Sequence, residues 1–234
     1  MNPSAGRERV FDLSLNTVRE LNRSLHRREE TAAGGVWRVA NPRGAHAIAC
    51  GISAPVEVRI EGHAGYYCAG MNQEATVIVD GNVGVGVAEN MMSGTVHVKG
   101  SASQSAGATG HGGLLIIEGD AGARCGISMK GIDIVVKGSI GHMSGFMAQA
   151  GMLVVCGDAG PALGDSLYEA KIFIRGKVAD LGADCVERDA TAEERAALGR
   201  LLERADSPLP PEEFRLYGSA RTLYAFHVDH AASY

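Results

Sequence analysis

Five cysteines and eight histidines are the residues most able to do chemistry in this 234-residue chain. Cys50, Cys68, Cys125, Cys156 and Cys185 are odd in number and never form a CxxC pair, which suits single thiols in a reducing compartment better than a disulfide framework or a zinc knuckle. Among the histidines, His227-Val-Asp-His230 could offer two metal ligands, but it lies close to the end of the chain. Gly157-Asp-Ala-Gly160 and Gly110-His-Gly-Gly113 invite a phosphate-loop reading. Neither leads into a predicted helix, whose oriented N–H groups a phosphate cradle needs. Lys130 has no evident nucleophile beside it, and no GxSxG elbow, carboxylate pair or Cys–His pair stands out. Reactive groups are present, but no pattern gathers them.

What would have to position them is a repeat. Glycine recurs every 19 residues at Gly62, Gly81, Gly100, Gly119, Gly138, Gly157 and Gly176. Four and two residues before each lies an apolar pair: Val58/Ile60, Val77/Val79, Val96/Val98, Leu115/Ile117, Ile134/Val136, Leu153/Val155 and Ile172/Ile174. The residue just before the glycine is charged in six of seven coils (Glu61, Asp80, Lys99, Glu118, Lys137, Arg175), with Cys156 the exception. Alternating branched apolar residues that end on a turn glycine predict a short, half-buried strand. The positions two, three and seven after the glycine are held by small, β-branched or turn-permitting residues, for example Ala64, Gly65 and Ala69. The ninth is polar in four coils: Asn90, Thr109, Ser128 and Ser166. A stacked column of this kind predicts a side-chain hydrogen-bond ladder of structural use.

One such coil cannot bury its own apolar edge, so coils must stack. At the ~4.8 Å spacing of paired strands, seven make a rod about 30–35 Å long. The fold predicted is all-β: a solenoid over residues 56–189, with an N-terminal helix and cap region in 1–55 and a C-terminal helix and aromatic tail in 190–234. The frame also tests metal sites. Cys68 and Cys125 share a column but lie three coils apart, about 14 Å, too far for one metal or one disulfide. His63, His97, His111 and His142 fall in four different columns.

The flanks carry their own signals. Thr17-Val-Arg-Glu20 and Thr191-Ala-Glu-Glu194 are capping-box spacings that open two short helices. Residues 29–55 hold Trp37 and a degenerate coil whose register is lost. After Ser207-Pro-Leu-Pro-Pro211 come Phe214, Tyr217, Tyr224 and Phe226, suited to a cap or a docking arm. The net charge of −5 argues against nucleic acid or an anionic membrane as the main partner. No apolar run reaches the ~20 residues of a membrane helix, and the start lacks a signal-peptide core; the expected location is the cytoplasm.

Several stretches resemble one family: residues 65–73 (GYYCAGMNQ), 88–94 (AENMMSG), 125–136 (CGISMKGIDIVV), 140–151 (IGHMSGFMAQAG), 164–176 (GDSLYEAKIFIRG), 181–187 (LGADCVE) and 216–224 (LYGSARTLY). They are similar to the GXGXG β-helix domain that closes the glutamate synthase large subunit. That domain also serves as the C subunit of formylmethanofuran dehydrogenase. They resemble most the small stand-alone subunit of N-methylglutamate synthase. The resemblance implies a single-stranded right-handed β-helix without an active site, a cofactor or a metal of its own. It implies two partners, a class II glutamine-amidotransferase-like subunit and a subunit carrying FMN and an iron–sulfur cluster. The reaction it implies converts methylamine and glutamate to N-methylglutamate and ammonia; the alternative is the C subunit of a formylmethanofuran dehydrogenase or formyltransferase–hydrolase complex. A β-helical hydrolase or sugar binder would show acidic clusters or stacked aromatics along a column, and none does.

A scaffold works through its surface. The residues expected to be exposed in the inter-strand turns, and so to touch partners, are Tyr66, Tyr67, Asn72, Gln73, Glu89, Asn90, Met91, Met92, His111, Lys130, His142 and Gln149. Met71, Met91, Met92, Met129, Met143, Met147 and Met152 fit either core filling or an adaptable contact surface.

Overall fold

The computed structural model describes residues 8–32 and 34–221. Strands β1 (Arg9–Asp12) and β2 (Val36–Ala40) are followed by seven four-residue strands: β3 (Glu57–Ile60), β4 (Thr76–Val79), β5 (Thr95–Val98), β6 (Leu114–Ile117), β7 (Asp133–Val136), β8 (Met152–Val155) and β9 (Lys171–Ile174). From β3 to β9 each strand pairs in parallel with the next at a constant offset of 19, so Val58 faces Val77 and Val155 faces Ile174. The apolar pairs of the repeat point inward and are fully buried. The molecule is a single-stranded parallel β-helix.

The stack begins before residue 56. β2 pairs in parallel with β3 (Val36 with Glu57), and β1 with β2 (Arg9 with Trp37). The register expected to be lost across 29–55 is therefore kept, in coils lengthened to offsets of 21 and 28 residues. The longer one accommodates helices α1 (Val18–Leu25) and α2 (Arg28–Thr31). The Thr17 hydroxyl accepts from the Glu20 N–H, and the Glu20 carboxylate accepts from the Thr17 N–H, closing the capping box. Leu21 and Leu25 then bury against the same core as Trp37 and Val39.

A second ladder runs beside the strands. Ala64, Val83, Ala102, Ala121, Ile140, Ala159 and Val178, two residues past each marker glycine, are joined by successive parallel bridges. The third position is small because backbones touch there: a Cβ on Gly84 would lie 2.6 Å from the carbonyl carbon of Gly65. The fifth, seventh and ninth positions are left-handed in coil after coil, as at Ser105, Gly107 and Thr109 (φ 60°, 68° and 53°). Amide groups in this turn bond alternately forward and back: Ala88 N–H to Cys68 C=O, Asn90 N–H to Ala108 C=O. The seventh position is glycine or alanine where its backbone is left-handed and buried, because a longer side chain there would add bulk to a strained residue.

At the far end the sheet changes direction. Strand β10 (Cys185–Arg188), helix α3 (Ala192–Arg204), a 3-10 turn at Pro211–Glu213 and strand β11 (Arg215–Ser219) complete the described chain. β11 runs antiparallel to both β9 and β10, closing the edge that a tenth parallel coil would have used. α3 lies on the outward side of β6–β9, where Leu198, Leu201 and Leu202 pack with Ile116, Val135, Val154, Phe173 and Phe214. Phe214 and Tyr217 of the aromatic tail are thus part of a cap. Tyr224, Phe226, His227 and His230 lie outside the described residues.

Candidate docking face

The repeat turns single side chains into rows. At the position after the first six marker glycines stand His63, Asn82, Ser101, Asp120, Ser139 and Asp158, and each of these side chains accepts the backbone N–H of its counterpart one coil on, at 2.7–3.2 Å, the last from Lys177. This ladder went unread in the sequence, although every residue in the row can accept a hydrogen bond. The polar row at the ninth position forms one rung, Thr109 hydroxyl to Asn90 Oδ1 at 2.7 Å; Ser166 bonds Asp165 instead. What unites that row is its left-handed backbone, which Met71 and Met147 share.

The eleventh row is different. Gln73, Met92, His111, Lys130, Gln149 and Tyr168 are all exposed, one above another over about 24 Å of stack. Five of the twelve residues expected to touch partners thus line up, and Tyr168 joins them at a position the same arithmetic could have supplied. In the six coils that follow Gly62 to Gly157, the ninth and eleventh rows hold twelve residues with one formal charge, Lys130; the seventh coil adds Cys185 and the exposed Glu187. Met71, Met92, Met147 and Tyr168 are each more than a third exposed there. The row before the marker glycine is charged in six of seven coils. One side of the rod is charged, whereas the ninth and eleventh rows of the turn side are charge-poor and carry exposed methionine and tyrosine, residue types that suit a docking surface, with Glu74 and Glu169 at their rim.

Two expected contact residues are not on it. Asn72 and Met91 occupy the tenth position, which points inward, and both are fully buried. Asn72 donates to Ala75 C=O at 2.8 Å and Ser93 C=O at 3.2 Å, leaving its own Oδ1 without a partner among the described residues. The methionines divide accordingly: Met91 and Met129 fill the core, whereas Met71, Met92 and Met147 face out. Tyr66 and His142 are exposed in the fourth row, and Tyr67 in the fifth, Glu89 in the eighth and Asn90 in the ninth are half-buried.

The cysteines are dispersed, and burial favours their neutral thiols. It pushes the thiols of Cys50 and Cys185 up to about 11 and that of Cys125 to about 12; those of Cys68 and Cys156 are raised as well. Neutral thiols are poor nucleophiles and poor metal ligands. Cys68 and Cys125 are sealed in the core three coils apart, a placement that does not fit an iron–sulfur cluster. No group of three His, Cys, Asp or Glu residues placed to hold a metal occurs among the described residues. The glycines of Gly157-Asp-Ala-Gly160 spend their amides on the coil, Gly157 N–H on Gly138 C=O and Gly160 N–H on Ile140 C=O. No helix among the described residues is long and apolar enough to cross a membrane.

Protein GlxC of Rhizobium meliloti (strain 1021) is 60% identical to this chain over 226 residues, covering 96% of the chain and 99% of that protein. This chain belongs to the GlxC family. The GlxC match spans the parallel stack and both of its end pieces, so the kinship covers the architecture as a whole rather than one glycine repeat. No family model matches the chain, and no solved structure does.

Proposed function

We propose that this GlxC-family chain is a non-catalytic scaffold subunit of a glutamate-synthase-like complex, of the N-methylglutamate synthase type. It bridges a class II glutamine-amidotransferase-like subunit and a subunit that carries FMN and an iron–sulfur cluster, in the cytoplasm. The chemistry, methylamine and glutamate to N-methylglutamate and ammonia, belongs to those partners.

The observation that carries the reading is the charge-poor turn face with its aligned Gln73, Met92, His111, Lys130, Gln149 and Tyr168. Side chains held at fixed spacing on a stiff coil present a preorganised surface, which lowers the ordering cost of association. The sequence stretches that resemble the glutamate synthase domain supply this face: residues 88–94 hold Met92, 125–136 hold Lys130, 140–151 hold Gln149 and 164–176 hold Tyr168.

The test is to express the chain with and without the proteins encoded beside it and to assay N-methylglutamate formation. Turnover is expected only from the assembled complex, with flavin absorbance staying on the larger partner when the subunits are separated. Turnover or tightly held flavin on the isolated chain, or an amidohydrolase-like partner in place of the flavoprotein, would overturn the proposal.

A further inference from the structure

The N-terminal end of the rod has a charge character of its own. Residues 1–55 contain eight arginines against five acidic residues, while the remainder of the chain carries 14 basic against 22 acidic. Part of that excess converges in space. A groove of about 770 Å³ lies between α1 and the first coil, lined by Arg19, Arg23, Arg27, His26, His46 and Asn22 among others. Its walls are fixed. Asn22 donates to Ala47 C=O at 2.8 Å and accepts from Ala49 N–H at 3.0 Å, and a His26 ring nitrogen sits 2.8 Å from Cys50 C=O. His46 stacks on the exposed Tyr66 ring at 3.8 Å.

Among the described residues, Arg19 and Arg23 have no carboxylate within ion-pair distance, whereas Arg27 is paired with Glu30 at 3.2 Å. Arg19 and Arg23 stand one helical turn apart, about 6 Å along α1, with Arg27 a further step on. Charges strung out in this way along an open groove do not converge on one phosphate. They match carboxylates on alternate residues of an extended chain, about 6.5–7 Å apart, and arginine's planar fork suits carboxylate oxygens.

We propose that the α1 groove is a docking site for an extended acidic segment of a partner polypeptide, held by Arg19 and Arg23. Tyr66 beside the groove gives the segment an aromatic edge to lie against, and it connects the groove to the turn side of the rod. An acidic strand entering there would meet the basic end of a chain that is otherwise net acidic, so electrostatics would select both site and direction.

The probe is a fluorescein-labelled octaglutamate peptide, titrated with the full chain and followed by anisotropy in about 50 mM and again in about 500 mM salt. Binding is expected at low salt and should weaken at least roughly tenfold at high salt. Arg19→Glu with Arg23→Glu should weaken it by a similar factor, while Arg200→Glu on α3 should leave it unchanged. Should the double reversal fail to fold, judged by circular dichroism, the single variants Arg19→Gln and Arg23→Gln carry the comparison. Absence of binding by the unaltered chain, or equal binding by the groove variants, would overturn the proposal. So would full displacement by inorganic phosphate at equal concentration, or tighter binding to an oligouridylate or to anionic phosphatidylserine vesicles. The peptide needs no synthase subunit, so its failure would leave the scaffold reading standing.

Discussion

At the scale of single residues, the marker glycines from Gly81 to Gly176 are demanded by their neighbours, whereas Gly62 is demanded by its φ of +132°. A Cβ on Gly138 would lie 2.7 Å from Gly119 C=O, and one on Gly157 would lie 2.6 Å from Gly138 C=O, against backbone that cannot swing away. Gly138→Ala is therefore expected to destabilise the chain by about 2–4 kcal/mol, as overpacked and strained sites do, read as a fall in the thermal or urea midpoint. Gly44→Ala meets no atom within 4 Å and should cost only about 1 kcal/mol, from its φ of +70°. Asp120, by contrast, accepts the Ser139 N–H at 2.7 Å, and Asp120→Ala should remove about 0.5–1.5 kcal/mol. The glycine row was legible because its spacing is invariant. The acceptor row beside it was not, because His, Asn, Ser and Asp look unrelated until the one property they share is asked for. Asn72 and Met91 lie inside for a similar reason: local sequence marks a turn without saying which of its residues face in, and here Asn72 is buried between the exposed Met71 and Gln73.

At the scale of elements, the strands announce what covers them. Thr95–Val98 alternates polar and apolar residues, and its outward side chains, like Thr76 and Ile78 one coil earlier, stay partly exposed. Leu114–Ile117 is apolar throughout and fully buried, and Asp133–Val136, Met152–Val155 and Lys171–Ile174 bury their last three residues. A strand apolar on both sides is covered on both sides. In the structure α3 supplies that cover, a contact that the local sequence of the strands does not name. Leu201→Ala, at the centre of the contact, is expected to cost about 2–5 kcal/mol in a denaturant titration.

The N-terminus of α3 also makes stability depend on pH. The Arg188 guanidinium, bonded to Glu194 at 2.6 and 3.1 Å, holds its carboxyl well down, at about 2 against the usual 4.5, helped by the Thr191 N–H and by Lys171. A lowered folded-state value means that the contribution is complete above the unfolded pKa. It is then lost as pH falls from about 4.5 toward 2. The gap in melting temperature between the unaltered chain and Glu194→Gln should accordingly be widest above pH 5 and shrink on acidification. A gap that is constant with pH would show that the ion pair does not stabilise the fold.

At the scale of the whole molecule, a rod of stacked coils is closed differently at its two ends. α1 covers the core near β1, and the antiparallel β11 and β10 finish the sheet beyond β9. The seven regular coils could be read from spacing alone. The two irregular coils upstream could not, because insertions of different length erase a fixed period while leaving strand pairing intact. The surface divides into a charged strand side, an arginine-rich end and a charge-poor turn side, and it is on the last of these that the scaffold account depends.

The most direct test is to co-express the chain with its neighbouring subunits after placing a charge in the eleventh row, and to weigh the purified assembly by light scattering. Met92→Asp combined with Tyr168→Asp should leave the melting temperature of the isolated chain nearly unchanged, since both side chains are exposed, yet strip at least one partner from the complex. Arg59→Asp, on the charged strand side, should leave the assembly whole. A complex of unaltered mass and activity in the Met92 and Tyr168 double variant would contradict the account.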